Sequence, residues 1–368
     1  DIMNNKTKSI ISFVIIAAFF VTTVIGCWAI PAKKYSDSER RDLAQLPKPE
    51  LKALLNGSFM TKFEKYTQDQ FPLREQFRTL KALTSYYVFR QLDNNGIYIK
   101  DGYAAKIEYP LNDKSIAYAA SRFEYVYKKY MEGKASNVYL SIVPDKSYFL
   151  ADKGGYLKMD YEKLVSEMKD KMSYAQYIDI MNTLEISDYY KTDTHWRQEK
   201  LLETAAALAK GMGVSLSGQY RENTLDNPFY GVYYGQAALP MPSETIKYLT
   251  SDILDNCIVT NYETGKKTTV YDMEKAYGKD PYQMFLSGSI SLMTIENPNA
   301  KTDKELIIFR DSFGSSISPL LVEGYAKITL VDIRYIVPDY LGRFVNFEGS
   351  DVLFLYSTLV LNNSETIQ

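Results

Sequence analysis

The strongest structural signal in the chain is the segment LIIFRDSFGSS at residues 306–316. Its apolar start is typical of a buried strand, and a polar turn and a helix-like run at 317–322 follow. Several hydrolase folds expose a nucleophilic serine on such a strand-to-helix turn, at the carboxyl edge of a sheet. Ser312 is therefore a candidate nucleophile. The structural alternative is that Asp311 and Ser312 simply cap the helix that follows.

A second segment, YYKTDTHWR at residues 189–197, contains His195, the only histidine in the chain. Histidine is the side chain that ordinarily exchanges protons near neutral pH. Asp193 lies two residues earlier, close enough to hydrogen-bond the imidazole and fix its tautomer. The two residues can therefore act as a base and its orienting group. A lone histidine is more often an ordinary solvated side chain, and the turn serine downstream is what favours the catalytic interpretation.

Strand-like and helix-like segments alternate along most of the chain, which predicts a parallel α/β sheet. The strand-like runs include 137–143, 306–309, 326–331 and 352–356. Residues 215–299 differ, because they are richer in Gly, Pro, Asn and Thr and contain short β-like runs such as 258–262 and 268–271. We interpret them as a β-rich excursion that covers the site.

The blocks DTHW at 193–196 and RDSF at 310–313 together resemble the alginate O-acetyltransferase family and the related DHHW proteins of Gram-positive bacteria. Both belong to the SGNH-hydrolase-like group. Thr194 stands in place of the first histidine of the DHHW block, as in the alginate-type proteins. Residues 63–74 and 95–98 resemble two further blocks of the family.

The resemblance implies a three-layer α/β/α SGNH-hydrolase-like domain with permuted motif order, since usual SGNH enzymes place the serine first. It implies a catalytic triad of Ser312, His195 and Asp193. It further implies an extracytoplasmic O-acetyltransferase that moves acetyl groups, through an acetyl-serine, to hydroxyls of an exopolysaccharide or cell-wall polysaccharide. The expected partners are the polysaccharide acceptor and a membrane-bound O-acyltransferase that supplies acetyl groups across the bilayer.

Three further residues are candidates for substrate binding. Trp196 can stack on a sugar ring, or it can anchor the catalytic loop in the core. Arg334 and Tyr335 follow a predicted strand at the same edge of the sheet, where they can bind substrate or pair with acidic neighbours. An oxyanion hole is also required. The backbone amide of Ser312 is one candidate donor, and Gly288 is a second.

Two other functions remain open. A carbohydrate acetyl esterase shares the triad but uses water as the acceptor, and acceptor choice depends on how well the site excludes water. A non-catalytic, membrane-tethered glycan-binding or assembly protein on the same fold is the third interpretation. The presence of Asp193, His195 and Ser312 argues against it.

Residues 10–30 contain no charge and are long enough, at about 30 Å as a helix, to cross a bilayer. Lys6 and Lys8 precede the run, which favours a cytoplasmic N-terminus and a single-pass anchor with the catalytic part outside. The segment VIGC at 24–27 also resembles a lipoprotein box, which would make Cys27 a lipid anchor. We divide the chain into an anchor at 1–32, a linker at 33–50 and an SGNH-like catalytic domain at 51–368.

Composition excludes several other classes. The 368 residues are 46% hydrophobic and carry a net charge of −2, so nothing points to nucleic acid. Two cysteines make no disulfide framework, and with one histidine they make a zinc site improbable. The sequence has neither a phosphate-binding loop nor a dinucleotide fingerprint. No cofactor is therefore expected.

Overall fold

A computed structural model describes residues 5–368 of the chain, without the side chain of Trp28. The first four residues of the predicted anchor, 1–4, lie outside this range. The chain divides into two units. One extends to Asn94 and includes Gly235–Pro240, and the other comprises Asn95–Tyr234 and Met241–Gln368.

The N-terminal unit starts with a long apolar helix, α1, which spans Asn5–Ala29. Within residues 5–368, its segment Asn5–Cys27 is the one helix with the length and hydropathy to cross a membrane. Pro31 follows, and its missing N–H prevents the helix from continuing. The other elements of this unit are β1 Tyr35–Ser36, β2 Arg41–Asp42, α2 Leu51–Leu55, α3 Ser58–Asp69, α4 Arg74–Leu83 and a π-helical turn at Thr84–Val88.

The segment at 33–50 was expected to be a linker, but it folds against α3. β1 and β2 form a two-stranded hairpin. The Arg41 guanidinium donates two hydrogen bonds to the Asp69 carboxylate, which also accepts one from the Ala44 amide. The buried carboxylate thus has a charged partner, as burial requires. The helices at 51–92 accordingly group with α1 and the hairpin, and not with the predicted catalytic domain at 51–368.

The larger unit alternates strands and helices, as the sequence pattern predicts. Its strands are β3 Ile97–Lys100, β4 Tyr103–Lys106, β5 Asn137–Val143, β6 Gln176–Tyr177, β7 Arg221–Thr224, β8 Lys247–Thr250, β9 Ile258–Asn261, β10 Lys266–Thr268, β11 Leu292–Glu296, β12 Glu305–Arg310, β13 Lys327–Val331 and β14 Asp351–Ser357. Its helices are α5 Asp113–Val126, α6 Ser147–Gly154, α7 Tyr161–Lys171, α8 Leu202–Gly211, α9 Val232–Ala237, α10 Asp252–Asn256, α11 Met273–Ala276, α12 Gly314–Ile317 and α13 Thr358–Asn362, of which α9 ends within the Gly235–Pro240 segment assigned to the N-terminal unit.

Eight strands form one sheet in the order β10-β9-β11-β13-β12-β14-β5-β6. The strands from β13 to β6 are parallel, whereas β9, β10 and β11 are antiparallel to their neighbours. Three strands of the β-rich segment at 215–299 therefore extend the sheet, and only β7 and β8 form a separate hairpin. The carboxyl ends of the parallel strands share one edge, where ligands bind in open α/β sheets.

Both faces of the sheet are covered. In β14, Leu353 and Leu355 belong to one apolar cluster, while Val352, Phe354 and Tyr356 belong to the other. This alternation follows from the two-residue period of a strand. Buried residues of α8 complete the first cluster, and those of α5 and α7 complete the second. The predicted three-layer α/β architecture is confirmed.

Candidate active site

A tight loop at 189–197 carries the histidine. Tyr189 and Trp196 face each other in an isolated antiparallel bridge, and the Tyr190 amide donates to the carbonyl oxygen of His195. This pairing closes the loop and leaves Asp193 within it. Both Asp193 and Trp196 are fully buried.

The structure brings Asp193, His195 and Ser312 together. The Nδ1 atom of His195 lies 2.6 Å from Oδ1 of Asp193, and its Nε2 atom lies 2.8 Å from the Ser312 Oγ. Because an ionised carboxylate only accepts hydrogen bonds, Nδ1 carries the proton and Nε2 is free to accept one. The D-x-H spacing also lets the His195 amide donate to the same carboxylate oxygen. The remaining oxygen, Oδ2, accepts from the Val232 amide at 2.8 Å.

Ser312 lies in the turn between β12 and α12, and its side chain is partly exposed. The buried Asp311 carboxylate accepts from the Phe313 amide at 3.0 Å and from the Ser357 amide at 2.8 Å. Asp311 thus shapes the turn and ties it to the end of β14. Asp311 does not cap α12, whose N-cap residue is Phe313 and whose N-terminus has no side-chain cap hydrogen bond. The Ser312 hydroxyl is left for His195.

Aromatic side chains fix the imidazole and the turn. The Tyr282 ring stacks on His195 with a centroid distance of 4.0 Å and an interplanar angle of 11°. The Trp196 Nε1–H donates to the Phe313 carbonyl and to the Ser316 hydroxyl. Because Trp196 is fully buried, it offers no ring face to a sugar. The predicted substrate contact of Trp196 is therefore wrong, and the anchoring alternative is correct.

Backbone contacts from distant segments hold the loop. The Glu244 carboxylate accepts from the amides of Lys191 and Thr192, both at 2.7 Å, and from the Thr192 hydroxyl. The Gly231 amide donates to that hydroxyl at 2.9 Å. A Cβ at Gly231 would lie 2.3 Å from the Asp193 backbone, so only glycine fits. Sequence reasoning missed Glu244 and Gly231, because no local pattern signals a contact over 39 to 53 residues.

The two candidate oxyanion donors differ in availability. No described acceptor takes a hydrogen bond from the Ser312 amide. The Gly288 amide, by contrast, donates to the Phe285 carbonyl at 3.1 Å, and the Gly288 carbonyl accepts from the buried Arg310. Gly288 therefore has no free donor in this conformation. Leu286, two residues upstream, has a positive φ of 53°, which is costly for a residue with a side chain.

Arg334 and Tyr335 follow β13, which pairs with β12. The Arg334 guanidinium makes a two-pronged ion pair with the buried Asp332, with hydrogen bonds of 2.9 and 2.6 Å. Burial opposes the charge, but the bonds to Asp332 raise the pKa of Arg334 above its ordinary value. Tyr335 is 54% exposed, with Arg334 over its ring. Within the described chain, neither side chain hydrogen-bonds to His195 or Ser312.

The chain thus has an α/β fold in which a turn serine, Ser312, faces the D-x-H loop that carries His195. No protein-family model matches the chain, and no curated protein matches its sequence.

Solved structures identify the fold. A DHHW family protein from Eubacterium siraeum has a TM-score of 0.62 and 23% identity, over 75% of this chain and 95% of that one. Bacillus cereus PatB1, in a structure with a sulfonyl adduct, has a TM-score of 0.59 and 18% identity, over 74% and 96% of the two chains. The O-acetyltransferase domain of Pseudomonas putida AlgJ has a TM-score of 0.44 and 11% identity, over 73% and 92%. The predicted resemblance is confirmed at the level of the fold.

Proposed function

We propose that the chain is an extracytoplasmic, serine-dependent O-acetyltransferase that acts on a polysaccharide. The observation that carries the proposal is the chain of contacts from the Ser312 Oγ to His195 at 2.8 Å and from His195 to Asp193 at 2.6 Å. A hydroxyl, a neutral imidazole and a buried carboxylate in this order form the arrangement that activates a serine. The sulfonyl adduct of PatB1, a protein of the same fold, is consistent with a reactive site.

The first half-reaction makes an acetyl-serine. His195 Nε2 takes the hydroxyl proton of Ser312 while Oγ attacks the carbonyl carbon of an acetyl ester. The bond between Oγ and that carbon forms, and the bond from the carbon to the donor oxygen breaks. Nε2 then returns the proton to the departing oxygen. Asp193 stabilises the imidazolium that exists between these two proton transfers.

The second half-reaction moves the acetyl group to a sugar. A sugar hydroxyl gives its proton to His195 Nε2 and attacks the acetyl carbon. The bond to the Ser312 Oγ breaks, and Oγ recovers the proton. The free amide of Ser312 is our candidate donor to the oxyanion in both steps. Tyr335, which is exposed at the same sheet edge, is our candidate contact for the sugar, and Arg334 holds its ring.

The location of the reaction follows from α1. An apolar helix of this length fits a membrane anchor, and we propose that the catalytic unit lies outside the cytoplasm. A membrane-bound O-acyltransferase is the proposed source of acetyl groups. Cys27, near the end of α1, is a free thiol and keeps the lipid-anchor alternative open. The mass of the N-terminal fragment from purified protein decides between the two anchors.

The test of the catalytic proposal is covalent labelling. We expect a sulfonyl fluoride to add one sulfonyl group to Ser312, located by peptide mass spectrometry, and an activated acetyl ester to add one acetyl group there. Ser312→Ala should abolish both adducts and keep the fold, since it removes a single oxygen from a turn. Ser166→Ala, at an exposed serine on α7, is the matched control and should label normally.

The acceptor is tested in the second stage. A sugar oligomer added to the acetylated protein should gain the acetyl group faster than water does. Hydrolysis at the same rate with and without every glycan offered would support the esterase alternative. Equal labelling of wild type and Ser312→Ala would refute both the transferase and the esterase. The non-catalytic glycan-binding or assembly protein would then remain.

A further inference from the structure

Lys146 is a buried cation that the proposed chemistry does not use. It follows β5 at the carboxyl edge of the sheet, and only 2% of its surface is exposed. Its Nζ donates to the carbonyl oxygens of Tyr190 at 2.9 Å and Lys191 at 3.2 Å. Both carbonyls belong to the loop that carries His195. Burial of a lysine is expensive, so its position requires a reason.

The surroundings of Lys146 explain how the charge is tolerated. Its Nζ lies 5.0 Å from the centroid of the Tyr233 ring, and the Tyr233 hydroxyl contacts the Thr194 hydroxyl. Asp193, Glu244 and Asp145 are the charged groups that face it. Burial lowers the pKa of Lys146 to about 7, and the three negative charges oppose that shift. Of the three carboxylates, Asp193, which orients His195, opposes that shift most strongly.

The neighbouring carboxylates have other partners. Asp145 accepts hydrogen bonds from the hydroxyls of Tyr161 and Thr358, and burial raises its pKa. Glu244 is engaged with the backbone of the loop. Lys146 makes no close ion pair with a carboxylate among the described residues, so carbonyl oxygens are its hydrogen-bond partners.

We infer that Lys146 is a positioning residue, which fixes two carbonyls of the loop and places a positive charge behind the Asp193–His195 pair. The inference rests on the proposed function. The hydrogen bonds from Lys146 hold carbonyl oxygens of the loop, whereas Glu244 holds amides of the same loop. Below about pH 7, where Lys146 is mostly protonated, its charge favours the negative form of Asp193 and opposes the addition of a further proton to the pair, so that Nε2 stays available as a base.

Two substitutions separate the contact from the charge. Lys146→Gln keeps an N–H donor and removes the charge, whereas Lys146→Arg keeps both. Lys169→Gln, at an exposed lysine on α7, is the matched control. Ile142→Val, in the buried part of β5, controls for a loss of packing in the strand that precedes Lys146. The readout is the rate at which a sulfonyl fluoride labels Ser312, measured by mass spectrometry from pH 5 to 9, together with the unfolding temperature.

We expect Lys146→Gln to slow labelling about threefold or more at pH 6, since removal of the charge lowers the fraction of protein with a free base at Nε2. The pH at which its labelling rate is half-maximal should rise by at least about 0.5 unit, because no cation then opposes protonation of the Asp193–His195 pair. Lys146→Arg should keep the half-maximal pH of the wild type even if its rate is lower. Lys169→Gln and Ile142→Val should leave the pH dependence unchanged. If Lys146→Gln does not fold, Lys146→Met replaces it with the same expectation.

The inference is overturned if the neutral variants label at the wild-type rate with the same pH dependence. It is also overturned if the labelling rates of all buried variants fall in proportion to their lost stability, while the pH of half-maximal labelling stays the same. Packing alone would then explain the effect. A failure of the proposed function looks different. In that case the wild type itself carries no adduct on Ser312.

Discussion

Gly231→Ala is expected to disable the site through a single methyl group. The added Cβ would lie 2.3 Å from the N, Cα and Cβ atoms of Asp193. Carbon atoms in contact ordinarily lie about 3.5–4.0 Å apart, so the two segments must separate by more than about 1 Å. The obstacle is backbone, which has no alternative rotamer to adopt. The same separation strains the hydrogen bond from the Gly231 amide to Thr192 and the one from the Val232 amide to Asp193.

The size of the effect follows from this displacement. A misplacement of about 1 Å costs roughly a hundredfold in rate, or about 2.7 kcal/mol in the activation free energy. Overpacking also lowers the free energy of unfolding, by about 1–3 kcal/mol. We therefore expect Gly231→Ala to remain folded with a lower unfolding temperature, and to label Ser312 with a sulfonyl fluoride about a hundredfold more slowly.

Gly278→Ala is the control, because Gly278 is exposed and its new Cβ would lie no nearer than 3.1 Å to any neighbour, the nearest being the Lys275 carbonyl oxygen. It should label like the wild type. Labelling rates are measured by intact-protein mass spectrometry, and unfolding by circular dichroism. A Gly231→Ala protein that labels within twofold of the wild type would refute the reasoning, since it would mean that the 231–232 segment yields without moving Asp193.

Three further outcomes are expected. Asp193→Asn should lower the acylation rate by about 10³–10⁴-fold, measured with an activated acetyl ester, because an amide favours the wrong tautomer of His195. Arg41→Met should make the free energy of unfolding depend less on pH between about pH 4 and 2, as measured by acid-unfolding curves. The hydrogen bond from Arg41 lowers the pKa of Asp69 to about 2, so the ionised carboxylate stabilises the fold above pH 4, by roughly 1–2 kcal/mol, and this is lost as pH falls toward 2. A chain that starts at Lys33 should be soluble without detergent, and its appearance only in the membrane fraction would contradict the role of α1 as the anchor.

The parts of the site that the sequence predicted are those with a local signature. A strand followed by a polar turn identifies Ser312, and the D-x-H spacing lets one carboxylate oxygen reach both the amide and Nδ1 of His195. Trp196 was ambiguous, because an indole suits a sugar and a core equally well. Its burial depends on the turn at 313–316, which lies more than a hundred residues away in the sequence.

The parts that could not be predicted depend on contacts between distant segments. Gly231 and Lys146 lie in stretches without any motif, and only the folded chain brings them to the loop. The strand expected at 268–271 illustrates the same limit. The structure has β10 at Lys266–Thr268, and all three residues are exposed, so no apolar pattern fixes their position. Pairing with β9 through the turn at Gly265 determines the register instead.

The tie between Asp311 and the amide of Ser357 has a consequence for the biogenesis of the protein. The nucleophile turn takes its shape from the end of β14, and its base comes from a loop 117 residues earlier. A nascent chain that has emerged through residue 350 carries both reactive side chains but lacks the strand that holds the turn. On the proposed function, such a chain should not yet react at Ser312. Labelling of Ser312 would then report that β14 has joined the sheet.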